Sequence, residues 1–162
     1  MTVELITRYV KILIGFVIVW GGVWLYNNIG CSRVEGPEMT PTLVADKSVW
    51  TDPKTRHAED LKRDDIVVYT YEFAGRGGGT RKVTARILGL PGDRVKIVKG
   101  DVFVNNAKVS GTADKKAAAE DYAEIIVPRN TVFALCDNRS QKQLDSRTLG
   151  PIGTWAIVGK VR

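Results

Sequence analysis

Histidine and cysteine are scarce in this sequence, and their scarcity excludes several classes of protein. The 162 residues contain one histidine, His57, and two cysteines, Cys31 and Cys136. A single histidine rules out a multi-histidine metal site. Two distant cysteines without Cys-x-x-Cys spacing rule out a zinc ribbon or a disulfide-dense scaffold. We therefore expect no metal site and no cofactor, with His57 a solvated loop residue.

The sequence also lacks internal repeats and any strong compositional bias. Hydrophobic residues make up 44% and charged residues 26%, close to ordinary globular values. These values exclude a disordered chain, a collagen-like chain and a membrane protein with many spans. Lys and Arg number 24 against 18 Asp and Glu, which gives a net charge of +6. A basic balance suits nucleic acid, anionic lipid or an acidic partner and does not choose among them.

One long uncharged run lies near the N-terminus. Residues 12–26 read ILIGFVIVWGGVWLY. The stretch 9–29 reaches the ~20 residues of a membrane-spanning helix if Lys11 extends to the lipid headgroups. A cleaved secretory peptide or a lipid anchor at Cys31 is disfavoured, because Asn28 occupies the minus-three position. The sequence therefore predicts one transmembrane helix.

The charges around this helix predict its orientation. Arg8 and Lys11 precede the apolar run and favour an N-terminus in the cytoplasm, although Glu4 reduces the bias. We predict a cytoplasmic tip and transmembrane anchor over 1–30. A second domain over 31–162 would then lie on the trans side of the membrane, whether periplasmic, extracellular or intermembrane.

The residues after the anchor predict a mainly β domain. Short β-branched runs recur between turn signals. The candidate strands are Lys47–Trp50, Ile66–Tyr71, Arg81–Leu88, Arg94–Val98, Val102–Val104, Ala123–Val127, Thr131–Leu135 and Ala156–Val161. Asn105-Asn106 is typical of a tight hairpin turn. Strands at this spacing favour a closed or folded-over sheet over a parallel α/β sheet.

Three segments in order carry a family resemblance. Box one is Gly36-Pro37-Glu38-Met39-Thr40-Pro41-Thr42-Leu43, and box two is Ala85-Arg86-Ile87-Leu88-Gly89-Leu90-Pro91-Gly92-Asp93-Arg94-Val95. Box three is Asp137-Asn138-Arg139, followed by Asp145-Ser146-Arg147 and Gly150-Pro151-Ile152. Together they resemble the type I signal peptidases, including the related mitochondrial inner-membrane peptidases. Asp64-Asp65-Ile66-Val67-Val68-Tyr69 is similar to that family's Gly-Asp-Ile-Val strand.

The resemblance implies a fold, a chemistry and a binding groove. The expected fold is a signal-peptidase-like folded β-sheet domain behind one N-terminal transmembrane helix. The family uses a serine nucleophile in Ser-Met-x-Pro and a neutral lysine base directly before the arginine of box two. Burial must lower the pKa of that lysine if it is to act as a base. Its groove binds the substrate as an added strand. Matching groove positions in this sequence are Gly36, Pro37, Met39 and Pro41.

This sequence departs from the family at both catalytic positions. Glu38 occupies the nucleophile position and Ala85 the general-base position, and the flanking motifs align without gaps. The serine that supports the lysine in the family maps to Lys142 or Gln143, and Cys136 occupies a usual glycine position. No catalytic residue of the dyad is therefore intact, and we expect a pseudoenzyme.

Neighbouring residues offer a poor route to a rebuilt dyad. Thr40 or Thr42 could supply a hydroxyl, and Lys82 or Lys142 an amine. Thr40, however, lies about 6–7 Å along an extended chain from the nucleophile position. Lys82 is three residues from Ala85 and should point to the opposite face of its strand. Reconstruction is disfavoured, since a nucleophile must lie within hydrogen-bond reach of its base.

The substituted glutamate leads to a structural hypothesis. If Glu38 is buried, its charge needs a partner, and we predict an ion pair with Lys142 or with an arginine that plugs the former site. The alternative is a solvated Glu38 on an open groove floor. The remaining box residues are expected to be structural: Arg86, Gly89, Pro91, Gly92, Asp93, Asp137, Asn138, Arg139, Asp145, Ser146 and Arg147. Asp145 resembles the family's structural aspartate and should pair with Arg147 or Arg139, in a turn held by charge-assisted hydrogen bonds.

The two cysteines have three possible roles. A Cys31–Cys136 disulfide is allowed if the domain lies in an oxidising compartment. Cys136 as a nucleophile would need a lowered pKa and a nearby base. We favour two inert thiols.

Three functions remain from the sequence. The favoured one is a membrane-anchored signal peptidase homologue that is inactive. It would bind signal peptides or preproteins, or act on an active peptidase or the secretion machinery. The second is an active signal peptidase that cleaves exported preproteins. The third is a basic module for nucleic acid or lipid headgroups. Only the domain charge supports that module, because its cations are scattered without interleaved aromatic residues, and we expect no nucleic acid partner.

Overall fold

The computed structural model describes residues 3–28, 30–55, 58–72, 78–109, 120–140 and 143–162. Two residues named above, His57 and Lys142, lie outside these ranges. Within them the chain forms one long N-terminal helix followed by a domain built mainly of strands.

The apolar run forms helix α1 over Val3–Asn28. Its segment Glu4–Trp24 has 21 residues and a mean hydropathy of 1.6, and none of it is buried inside the protein. These residues rise about 31 Å, which is enough for a bilayer core of roughly 30 Å. The helix begins before the predicted 9–29 because arginine and lysine are good helix formers, so Arg8 and Lys11 do not interrupt it.

The strands after α1 form two antiparallel sheets. Their bounds are β1 Gly30–Arg33, β2 Ser48–Asp52, β3 Ile66–Glu72, β4 Thr80–Gly89, β5 Arg94–Val98, β6 Asp101–Val104, β7 Ala107–Lys108, β8 Tyr122–Ile126, β9 Thr131–Leu135, β10 Ile152–Gly153 and β11 Ile157–Val161, with a short helix α2 over Ser146–Leu149. One sheet has the order β1-β2-β11-β3-β4-β9-β10, and the other β7-β6-β5-β8. The predicted mainly β fold is confirmed.

The predicted strands are present with bounds within two residues at each end, and β5 and β9 match the prediction. Asn105 and Asn106 have φ angles of 52° and 66°, the left-handed backbone of a mirror-image hairpin turn, and they join β6 to β7. Strands β1 and β10 were not predicted from the sequence. Both are short and carry no alternating pattern, so only their partner strands define them.

Strand β9 separates two hydrophobic cores. Val132 and Ala134 point into one core, while Phe133 and Leu135 point into the other. Successive side chains of a strand point to opposite faces, so a strand buried on both faces reads as one continuous apolar run. This burial explains the sequence TVFAL and fixes the neighbouring β4 in the interior.

Gly89, the last residue of β4, packs against side chains of the second core. A Cβ there would lie 2.7 Å from Val95 Cγ2 and 3.1 Å from Phe133 Cβ. We expect Gly89→Ala to lower the free energy of unfolding by about 1–3 kcal/mol, since a tightly packed core resists added atoms. Gly79→Ala is the matched control, because a Cβ at Gly79 meets nothing within 4 Å. Urea unfolding of both variants in detergent checks the prediction, and equal midpoints would contradict it.

Candidate functional site

Box one forms a tight turn around a buried carboxylate. The chain makes a 3₁₀ turn from Pro37 to Met39, with Glu38 and Met39 buried and Pro41 exposed. The Glu38 carboxylate folds back over Gly36, where a Cβ would lie 2.7 and 2.8 Å from its two oxygens. Any larger residue at Gly36 would therefore displace the Glu38 side chain.

The Glu38 carboxylate is paired with an arginine from β4. Arg81 Nη2 donates to Glu38 Oε1 at 2.7 Å. The side chain of Glu38 is only 3% exposed, whereas that of Arg81 is 40% exposed. Glu38 is thus buried in an ion pair rather than solvated. From the sequence, the expected partner of Glu38 was an arginine or Lys142, and Lys142 lies outside the described residues.

The strand pattern of β4 narrows the choice of arginine but does not decide it. Side chains at i and i+4 of a strand lie on the same face, so Arg81 shares a face of β4 with Ala85. Ala85 is fully buried in the first core and lies opposite Val67 of β3. The position that the resemblance assigns to the base is therefore a methyl group packed among apolar side chains.

Two other titratable groups lie in this core, and both are held protonated. The Tyr69 hydroxyl donates to the carbonyl oxygen of Leu144, and burial raises the pKa of Tyr69 with a smaller contribution from Cys136. Burial, reinforced by the carboxylates of Asp145 and Glu38, also raises the pKa of the Cys136 thiol. A protonated thiol is a poor nucleophile, so the Cys136 thiol is not set up for nucleophilic attack.

The two cysteines are free. Cys31 is exposed and lies on β1 opposite Trp50 of β2, whereas Cys136 is buried. The Cys136 thiol donates to the backbone oxygen of Thr84 at 3.7 Å. The disulfide that the sequence left open is not formed.

Box three clamps the box-one turn against β4. Arg86 donates from Nε and Nη2 to the two oxygens of Asp137, at 2.9 and 2.6 Å, and the Thr42 hydroxyl donates to the same carboxylate at 2.6 Å. The next residue, Asn138, donates its backbone N–H to the oxygen of Glu38 at 2.8 Å. Bidentate pairs of this kind fix orientation as well as distance. Thr42 is thereby tied to a carboxylate rather than to an amine.

Asp145 is the centre of a second buried network. It accepts hydrogen bonds from the backbone N–H of Arg147 at 3.0 Å, from Arg147 Nη2 at 2.8 Å and from the backbone N–H of Cys136 at 3.2 Å. The partner of Asp145 is therefore Arg147. Arg139 instead donates Nη1 to the oxygen of Gly100 at 2.6 Å.

The remaining box residues hold turns together. Asp93 accepts from Arg63 Nη2 at 2.7 Å, from the backbone N–H of Leu90 at 2.8 Å and from Asn105 Nδ2 at 2.8 Å. These contacts close the turn at the end of β4, where Gly92 has a φ of 88° that favours glycine. The expected structural aspartates therefore lie within hydrogen-bonded turns. Ser146 accepts from the backbone N–H of Ala134 at 2.9 Å.

The first half of β4 has a side without a partner strand. Among the described residues, β9 pairs with β4 only from Arg86 onward, while β3 covers the other side from Thr80 to Arg86. The backbone N–H of Lys82 points away from β3 and donates to Glu35 Oε2 at 3.3 Å. An exposed carboxylate thus takes the hydrogen bond that an added strand would make there. The sequence analysis did not identify Glu35.

Comparisons with known proteins agree with one another. The family model described as signal peptidase, peptidase S26, matches residues 6–162. Signal peptidase I P of Bacillus subtilis subsp. natto is 33% identical over 137 residues, which cover 78% of this chain and 71% of that protein. Signal peptidase I of Bacillus amyloliquefaciens is 32% identical over 124 residues, 70% of this chain.

The chain is shorter than one of these relatives, and it also matches a solved structure. The chain spans 63% of the length of the Bacillus amyloliquefaciens relative. A crystal structure of a signal peptidase I from Enterococcus faecalis V583 matches with a TM-score of 0.48 and 22% sequence identity, covering 63% of this chain and 97% of that one.

Proposed function

The chain belongs to the signal peptidase family, peptidase S26, and we propose that it is a member that binds signal-peptide segments of preproteins without cleaving them. One N-terminal apolar helix together with this family indicates membrane anchoring. The proposed topology has residues 1–30 as cytoplasmic tip and anchor, with 31–162 on the trans side.

The proposal rests on the Glu38–Arg81 pair at the position of the family's nucleophile. Arg81 Nη2 lies 2.7 Å from Oε1 of the buried Glu38 carboxylate. A carboxylate has no proton to lose and cannot form the alkoxide that attacks a peptide carbonyl. The guanidinium beside it cannot accept a proton at neutral pH. With Ala85 at the base position, the pair offers no nucleophile and no base for acyl transfer.

Peptide binding requires neither a nucleophile nor a base. An extended peptide can add as a strand to an uncovered sheet edge, where main-chain hydrogen bonds supply affinity. The uncovered side of β4 around Lys82 is such an edge. The backbone N–H of Lys82 donates to Glu35 Oε2 at 3.3 Å in an exposed contact. A peptide carbonyl can replace the Glu35 carboxylate as the acceptor. Preproteins are the ligands that the family implies, and an active signal peptidase or the secretion machinery is the proposed wider partner.

Peptide binding can be tested at the Lys82 backbone. We expect Lys82→Pro to weaken binding of a labelled signal-peptide segment at least tenfold, because proline removes the N–H but is tolerated where it faces no partner strand. Lys82→Ala keeps the N–H and should bind within about threefold of the natural chain. Fluorescence anisotropy with the full chain in detergent measures all three.

Two results would contradict the proposed function. One is no binding by the natural chain under conditions in which an active signal peptidase I binds the same segment. The other is equal binding by Lys82→Pro and Lys82→Ala, which would place the peptide elsewhere.

A further inference from the structure

Glu38 and Arg81 differ in how firmly the protein holds them. The Glu38 carboxylate is 3% exposed and is packed over Gly36. Its backbone oxygen accepts the N–H of Asn138 at 2.8 Å. The Arg81 side chain is 40% exposed and stands near the start of β4. The Glu38 carboxylate is therefore a fixed part of the site, while the Arg81 guanidinium can leave it and move into solvent.

We propose that Glu38 forms a subsite for a cationic side chain of the bound peptide, whose lysine ammonium or arginine guanidinium replaces Arg81. The inference rests on the proposed function, since it names the ligand chemistry of the same site. It makes Glu38 a specificity-determining residue in place of a lost nucleophile.

The cost of an unpaired buried charge gives the subsite its preference. A buried carboxylate without a partner is strongly unfavourable, and removing one member of a buried ion pair costs far more than the pair contributes. A neutral side chain that displaced Arg81 would leave Glu38 unpaired. A cation would restore the pair and release Arg81 to water. Peptides that reach Glu38 are thus selected for positive charge.

Glu35 strengthens this selection. Its exposed carboxylate accepts a hydrogen bond from the backbone N–H of Lys82. Lys82 directly follows Arg81 on β4. A peptide strand that displaces Glu35 from this N–H leaves the carboxylate free in the same region. A positively charged ligand can then be attracted by both Glu35 and Glu38, whereas the rest of the domain is basic. The charge pattern favours one cationic group at this place rather than a generally basic peptide.

The test compares lysine with acetyl-lysine, which has a similar shape but no charge. A labelled alanine-rich peptide carries one lysine, moved through each position, and a parallel set carries acetyl-lysine. For the natural chain we expect one position at which lysine binds at least tenfold more tightly than acetyl-lysine. The preference should disappear in Glu38→Gln and increase in Arg81→Gln.

Controls make the outcomes distinguishable. Arg33→Gln removes an exposed cation that pairs with Asp46, and it should leave the preference unchanged. Arg81→Lys serves if Arg81→Gln does not fold, and it should keep the preference. Equal binding of lysine and acetyl-lysine at every position, or a preference that persists in Glu38→Gln, overturns the subsite alone. If no peptide of either set binds, the proposed function fails with it.

Discussion

Replacing Asp145 by alanine is expected to lower the free energy of unfolding by about 3–5 kcal/mol, since that is the usual cost of removing one partner of a buried ion pair. Asp145 is fully buried and accepts hydrogen bonds from the side chain and backbone of Arg147. Without it, a guanidinium that is 6% exposed keeps, among the residues that the structure describes, only Glu120 as a charged partner, at 3.1 Å. Such a loss is a large fraction of the 5–15 kcal/mol that stabilises a typical domain.

The control for Asp145 is an ion pair at the surface. Asp101 pairs with Lys108 at 2.7 Å, with both side chains about half exposed. Asp101→Ala should cost at most about 1 kcal/mol. Urea unfolding of the full chain in detergent, followed by circular dichroism, compares the two variants. Similar losses for Asp101→Ala and Asp145→Ala would show that the Asp145 network does not hold the fold.

Placing a lysine at Ala85 is expected to destabilise the protein by about 4 kcal/mol or more. Ala85 is fully buried among apolar side chains of the first core. The added atoms strain a tightly packed core, and the ammonium must either be buried charged or lose its proton. The expected effect lies in the tail of point-mutation costs.

Thr80→Lys is the matched control on the same strand. Thr80 is exposed and lies opposite Glu72 of β3, so a lysine there should change stability by at most about 0.5 kcal/mol. Thermal unfolding of both variants measures the difference. Equal stability of Ala85→Lys and Thr80→Lys would contradict the prediction, because it would show that position 85 has room for a lysine side chain.

The fold could be predicted from the sequence where local pattern and burial agree. Strands β5 and β9 were placed at their observed bounds, because alternation or a continuous apolar run between turn residues determines them. The turn at Asn105 and Asn106 was predicted because few residues adopt its backbone. Strands β1 and β10 could not be predicted. They have four and two residues, too few to show an alternating pattern, and they form only by pairing with strands distant in the sequence.

The site was predictable in its composition but not in its contacts. The boxes placed Glu38 and Ala85 at the positions of interest without any structure, but they left open whether Glu38 is buried in an ion pair or solvated. The choice of Arg81 depends on the 3₁₀ turn that folds the carboxylate over Gly36, which no sequence pattern shows. Alternation along β4 does place Arg81 on the face of Ala85 and would have narrowed the choice. Glu35 lies outside the boxes and gave no signal.

Cleavage of a labelled preprotein by the 162-residue chain is the measurement that decides whether this protein is an active peptidase. The natural chain and Glu38→Ala are compared in detergent with an active signal peptidase I as the positive control. We expect no product from either form, with any rate at least about 10⁴-fold below that of the active enzyme, because residues that act as a catalytic unit fail together. Product from the natural chain that disappears in Glu38→Ala would contradict the proposed inactivity and would assign Glu38 to catalysis.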